Sequence, residues 1–207
     1  MTQTKTLNND FQDIITGRRS IRYYDPSVKI SREEMKEILT EATLAPSSVN
    51  AQPWRFLVID SPEGKATLAP LAKFNQSQVE TSAAVIAIFG DLKSEENLDE
   101  IYDKAVELGY MPQEIRDMQI PKIKAHYAAA SEELNKETVL IDGGLVSMQL
   151  MLAARAHGYD TNAIGGYEKD QIAEAFGLDK ERYAPVKAAN SGYPSVRLPI
   201  EKVAQFR

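Results

Sequence analysis

The stretch Gly17-Arg18-Arg19-Ser20-Ile21-Arg22-Tyr23-Tyr24-Asp25-Pro26 follows a short amphipathic segment and runs into an Asp-Pro turn. Its three arginines fall within five residues. Guanidinium is a planar fork of donors that suits phosphate oxygens, and Ser20 adds a hydroxyl between the charges. The chain as a whole is acidic, with Lys+Arg 24 against Asp+Glu 30 and a formal charge of -6. Against that background the cluster reads as a seat for a small dianion. A solvated basic loop is the plainer alternative.

Upstream of the arginines, Asn8, Asn9 or Asp10 can cap a helix carrying Phe11, Ile14 and Ile15, with Gly17 ending it. Downstream, Ser31-Arg-Glu-Glu34 is a capping box, and Met35, Ile38, Leu39 and Ala42 recur at helical spacing. A second helix is expected over 32–43. It leads into Leu44-Ala-Pro-Ser-Ser-Val-Asn-Ala-Gln-Pro-Trp54, a polar loop that holds the only tryptophan. Residues 55–60 read as a strand, and Ser61-Pro62 starts a helix over 62–72. The apolar run Ala83–Phe89 fits a strand buried on both faces.

From Asp91 to Lys136 the chain turns charged, tyrosine-containing and helical, broken by Gly109, Pro112 and Pro121. About 45 residues with so few aliphatics make a poor independent core, so this reads as a lid excursion within a single domain spanning 1–207. Residues 138–157 form the longest helical pattern, apolar almost all round, which suits the centre of a fold or a subunit interface. Gly143-Gly144 inside it points to close backbone packing. A short extended piece, 160–166, ends in a glycine pair. A helix over 168–176 and a strand over 183–191 precede a proline-rich tail.

Composition excludes several classes. Hydrophobic content of 43% and charged content of 26% are those of a soluble globular protein. No run approaches the ~18 apolar residues of a membrane helix, and the first ten residues hold no apolar signal core. With no cysteine there are no disulfides, thiolate metal sites or cysteine nucleophiles, as suits a cytoplasmic protein. The acidic balance argues against nucleic acid and anionic membranes. The two histidines, His126 and His157, stand in no metal-binding spacing, so no metal is expected. No nucleophile elbow, Walker motif or strand-linked G-x-G-x-x-G occurs. An anion seat with few catalytic side chains favours chemistry carried by a cofactor.

Taken together, Arg18-Arg-Ser-Ile-Arg22 with Tyr24-Asp25, and Ala45-Pro-Ser-Ser-Val-Asn-Ala-Gln-Pro-Trp54, resemble the FMN-dependent nitroreductase family. Phe74-Asn75, the Asp142–Gln149 helix, Ile164-Gly-Gly166, Phe176-Gly-Leu178 and Arg197 extend the likeness along the whole chain. The resemblance implies an α+β fold, an α/β/α sandwich whose central mixed sheet is flanked by helices. It also implies an intertwined homodimer with flavin sites at the interface.

By position, Arg18, Ser20 and Arg22, with Arg19 beside them, would hold the phosphate and ribityl chain of FMN, and Arg197 would reach the same phosphate. Asn75 and Gln78 fall where the family bonds the polar edge of the ring. Pro46, Ser47, Ser48, Asn50 and Gln52 would approach it from the other subunit. Ile164, Gly165 and Gly166 would lie along it, the Gly165 amide donating to N5. Simpler roles exist for several of these: turn bonds for Ser47 and Ser48, packing for Trp54, Tyr23 and Tyr24, a structural carboxylate for Asp142. Tyr102, Tyr110, His126 and Tyr127 could line a substrate channel or pack the lid. Three positions depart from better-known members: Gly165 where many are acidic, Ser195 where some are basic, Gln78 where some have lysine.

The activity the resemblance implies is hydride transfer from NADH or NADPH through flavin N5 to a nitroaromatic or quinone. No protein acid or base is needed. The alternatives are other flavin chemistry on the same fold (dehalogenation, azoline oxidation, flavin fragmentation) and a non-catalytic FMN-binding protein.

Overall fold

The computed structural model describes residues 7–192 of the 207-residue chain. Among the described residues, four strands form one sheet in the order β1-β2-β4-β3: β1 Trp54–Ile59, β2 Ala84–Asp91, β3 Asp160–Ile164 and β4 Tyr183–Gly192. Pairings between these strands are antiparallel, and the parallel component is an isolated bridge from Ser20 to Thr161. Pro185 sits beside a bulge in β4, outside the register with β3, where its missing N–H costs no ladder bond to that neighbour.

The central strand β2 is buried at every residue, as its unbroken apolar run predicts. Its period of two still sorts its side chains. Ala84, Ile86 and Ile88 join Trp54 and the helices α2 (Arg32–Ala42) and α7 (Glu132–Ala156) through Met35, Ile38, Val146 and Leu150. Val85, Ala87 and Phe89 face the opposite layer, built by α3 (Pro62–Leu68), α4 (Gln76–Thr81) and α8 (Lys169–Ala175) through Leu68, Val79 and Ile172. Each large aliphatic or aromatic side chain buried there contributes roughly 1.5–3 kcal/mol. The expected α/β/α layering is the observed one, but the sheet, expected to be mixed, pairs its named strands only antiparallel among the described residues.

The caps act as their residue types dictate. Asp10 caps α1 (Phe11–Gly17) by accepting from Asp13 N, Ser31 caps α2, and Ser61 caps α3 with Pro62 in its first turn. The third helix ends at Leu68, earlier than the spacing suggests, because Pro70 turns the chain into a 3-10 segment over Ala69–Leu71.

Three further differences have physical causes. Helix α7 begins six residues before Thr138, because Ser131 supplies a cap to Leu134 N and the exposed first turns need no apolar face. Pro121 does not break its segment; it lies inside α6 (Gln113–Ala129) at an exposed position, where water can satisfy the freed carbonyl. Ile120 and Ile123 hold that helix to α5 (Leu98–Glu107), overriding the proline. Of the glycine pair, Gly143 is the packed one: a Cβ there would lie 2.5 Å from Val186 Cγ2, whereas at Gly144 it would meet nothing within 4 Å among the described residues.

By length and composition α7 could also cross a membrane, although no single apolar run suggested it. Half of its apolar window is buried within the protein itself, the position of a core helix.

Candidate active site

Fold topology gathers three predicted segments at one edge of the sheet. The arginine loop crosses beside β3, where Ser20 bridges Thr161 and Ile21 N donates to Thr161 O at 3.3 Å. Buried Tyr24 anchors the far end of the loop, its N–H donating to Thr81 Oγ1 of α4 at 3.2 Å. Just before α4, Asn75 Nδ2 donates to the Gly166 carbonyl at 2.9 Å, tying that turn to the glycine pair. Gln78 is buried and donates to Asn75 Oδ1 at 3.1 Å. Arg18, Ser20, Arg22, Asn75, Gln78, Ile164, Gly165 and Gly166 therefore belong to one neighbourhood, although they span about 150 positions of sequence.

The three arginines divide by environment. Arg19 turns back on α1, its Nη1 donating to Thr16 O at 2.6 Å and Arg18 O at 2.7 Å, which satisfies carbonyls at the helix end. Arg18 is half-buried and Arg22 exposed, and among the described residues neither guanidinium has a hydrogen-bond or ion-pair partner. Ser20 and both glycines are exposed, and a Cβ at Gly165 would meet no atom of the described residues within 4 Å. Next to the pair, burial pushes the Tyr167 phenol up to about 12, so it stays neutral at physiological pH. No sequence signal marked Tyr167 out; its role is packing beneath the edge, against the α3–α8 layer.

The second predicted segment, residues 46–52, lies on α5 and α7. Ser48 N donates to both oxygens of Asp142 in α7, each at 3.1 Å. Tyr102 of α5 donates from its hydroxyl to Val49 O at 3.1 Å. Ser47 Oγ accepts from Gln52 N at 3.0 Å, the turn bond its residue type offers. Within this segment Val49, Asn50 and Gln52 adopt positive φ of 46°, 54° and 47°, an unfavourable region for non-glycine residues and most of all for a β-branched one. Such strain persists where surrounding structure over-determines it, and it clusters at functional sites.

Asp142 is 4% exposed. Burial raises its carboxyl above the usual carboxylate range, while the Ser48 amide pulls the other way. Burial also raises the Tyr102 and Tyr127 phenols. Of the other tyrosines considered for a channel, Tyr110 is exposed and lines a cleft of about 290 Å³ with Asn50, Gln52, Glu100 and Leu108. His126 is exposed and meets Tyr127 edge-on. Trp54 is buried in the core of the sheet rather than stacked at the site. Larger clefts, of about 870 and 610 Å³, are lined by other residues. Arg197 and Ser195 lie outside the described residues.

Residues 15–193 match the family model described as the Nitroreductase family. The chain belongs to the nitroreductase family. Among relatives, YdgI of Bacillus subtilis, provisionally named an NAD(P)H nitroreductase, is 68% identical over 205 residues, covering 96% of this chain and 98% of its own. A Lactiplantibacillus plantarum protein named CLA biosynthesis enone reductase is 39% identical, over 87% of this chain and 83% of its own. A nitroreductase-named protein of Exiguobacterium sibiricum, crystallised in complex with FMN, superposes with a TM-score of 0.88 at 65% identity. That match covers 99% of this chain and 100% of the other. The nitroreductase fold expected from the two motifs is thus the fold observed.

Proposed function

We propose that this nitroreductase-family protein is a cytoplasmic FMN-dependent oxidoreductase that uses NADH or NADPH to reduce electron-poor acceptors such as nitroaromatics or quinones. The observation that carries the reading is the unpartnered pair Arg18 and Arg22 flanking exposed Ser20, docked against the open glycine edge. Two free guanidiniums and a hydroxyl fit a phosphate dianion, at ~1.5–3 kcal/mol per charge-assisted bond. Gly165 and Gly166 leave room for a flat ring, and Asn75 and Gln78 supply amides at its edge. FMN, when bound, supplies the hydride carrier between nicotinamide and acceptor. The chain's own part is binding, orientation and electrostatics.

Arg19 braces the loop rather than competing for the phosphate, and Arg197 is assigned to the same phosphate from the tail. The protein works as one FMN-binding domain, with residues 91–136 as a helical lid. It forms an intertwined homodimer whose 46–52 loop serves the partner's site. Ile141, Leu145 and Met148 support this, because they leave 66%, 44% and 42% of their surface exposed on α7, beside the open Gly144. Light scattering of the purified chain at twice the 23.0 kDa mass is the expected result.

A second acceptor class, activated C=C bonds conjugated to a carbonyl, is favoured by the relative named an enone reductase. The deciding experiment starts from the absorption spectrum of the purified protein. Flavin bands that bleach anaerobically with NADH or NADPH support the reading, and reoxidation by a nitroaromatic, a quinone or an enone ranks the acceptors. Bands that never bleach point to a non-catalytic flavin protein or to specialised flavin chemistry. A colourless protein that cannot be reconstituted with FMN overturns the proposal.

A further inference from the structure

The turn over residues 48–52 holds a conformation that its own residues disfavour. Val49, Asn50 and Gln52 are left-handed, each at a cost on the order of 1 kcal/mol or more. Ser47, at the capping position, makes no side-chain bond to the first amides of the turn. The grip comes from elsewhere. Asp142, 94 residues away in sequence, takes the Ser48 amide with both oxygens, and Tyr102, 53 residues away, donates to the Val49 carbonyl. Ala51 is buried alongside Tyr102, Leu98 and Ile120 in the small core of the lid helices. Consecutive residues of a strained turn are thus held from two sides.

Asp142 is a costly choice for a merely structural acceptor. It is 4% exposed, and among the described residues no cation pairs with it. A buried carboxylate without a cation is unfavourable unless it makes strong hydrogen bonds, and here the Ser48 amide is its donor. What it secures is the placement of Asn50 and Gln52, whose side-chain amides join at 3.3 Å and line the cleft against α5.

We propose that Asp142 and Tyr102 are positioning residues that clamp the 48–52 turn, hold Asn50 and Gln52 in place for the flavin, and make that placement depend on the lid. The clamp rests on the FMN reading given above. Tyr102 ties it to α5, and α5 is in turn tied to α6, where Arg116 bonds Asp99 at 3.0 Å and Asp103 at 2.8 Å.

The test uses full-length protein and three variants: Tyr102→Phe, which keeps the ring in its cluster, Asp142→Ala, and Asp142→Asn, which keeps an acceptor for Ser48. Three quantities are measured: the FMN dissociation constant, the positions of the flavin absorption bands, and amide hydrogen exchange over residues 48–52. Tyr102→Phe and Asp142→Ala should each weaken FMN about three- to tenfold, shift the bands and speed exchange in the turn. Asp142→Asn should stay within about threefold of wild type. If Asp142→Ala does not fold, Tyr102→Phe decides. Tyr102→Phe and Asp142→Ala proteins that bind FMN as tightly as wild type, with unchanged bands, overturn the clamp even if exchange quickens, because the grip is then structural only. A wild type that takes up no FMN overturns the proposed function and the clamp together, so the two failures are distinguishable.

Discussion

Arg18 and Arg22 stand outside the left-handed region, their guanidiniums without a partner among the described residues, whereas Val49, Asn50 and Gln52 stand on strained backbone gripped from two helices. The contrast follows from what each region is proposed to recognise. A phosphate dianion attracts any nearby guanidinium, so long arginines on an ordinary loop suffice. Neutral amides that meet a flat ring gain little from long-range attraction, and their direction has to be enforced. Charge therefore sits where the chain is free, and strain sits where other elements can hold it.

The largest expected effect falls on the charged half. Arg22→Ala should weaken FMN by roughly ten- to a hundredfold, the loss of one charge-assisted bond, while the unfolding free energy of the FMN-free protein moves by less than ~0.5 kcal/mol. Fluorescence titration with urea unfolding checks both, and full FMN retention would break the assignment of affinity to this loop.

Next comes the scaffold beneath the strained half. Gly143→Ala places a methyl group against Val186 and should cost ~1–3 kcal/mol of overpacking. Gly144→Ala, one residue on and facing open space, should be neutral or stabilising by up to ~1 kcal/mol, with any loss appearing in dimer dissociation rather than in folding. Equal losses of folding stability would remove the distinction between a buried and an outward face of α7.

A smaller effect concerns pH. Burial raises the folded-state pKa of Asp142 above its unfolded value, so folding takes up a proton there as pH falls through the folded value toward the ordinary 3.8. The stability contributed by this group is thus fully present below the unfolded value and declines as pH rises through the folded one. Relative to Asp142→Asn, wild type should gain stability as pH is lowered from 7 to 4. Urea unfolding across that range reads the difference; a change of opposite sign would mean that the Ser48 amide outweighs desolvation. Smallest of all, Gly165→Glu should change FMN affinity less than about threefold, because the contact assigned there uses the backbone and a side chain meets open space. A large loss would show that the glycine edge recognises shape as strictly as the clamped turn.

Much of this architecture was legible without coordinates, because local chemistry controls it. The caps at Asp10, Ser31 and Ser61 and the apolar run of β2 appear where their residues predict. Pro121 was misread as a break because the tertiary contacts of Ile120 and Ile123 outweigh one lost hydrogen bond. The early start of α7 was missed because its first turns carry no apolar pattern. Asp142 was visible only as an odd carboxylate in an apolar helix, and Tyr102 only as one tyrosine among several. Their meeting at the 48–52 turn links positions too far apart for any spacing rule to see.

By itself the sequence determined which segments become helix or strand, where positive charge concentrates and which family's two motifs the chain carries. Those follow from propensity, capping and residue chemistry, all of which act over a few neighbouring residues. The tertiary structure alone decided that Arg19 braces its own helix while Arg18 and Arg22 remain unpartnered, that Gly143 packs while Gly144 does not, and that a buried aspartate and a lid tyrosine hold a left-handed turn. Each of those outcomes depends on which distant side chains a close-packed fold brings within bonding distance, and local sequence carries no record of that distance.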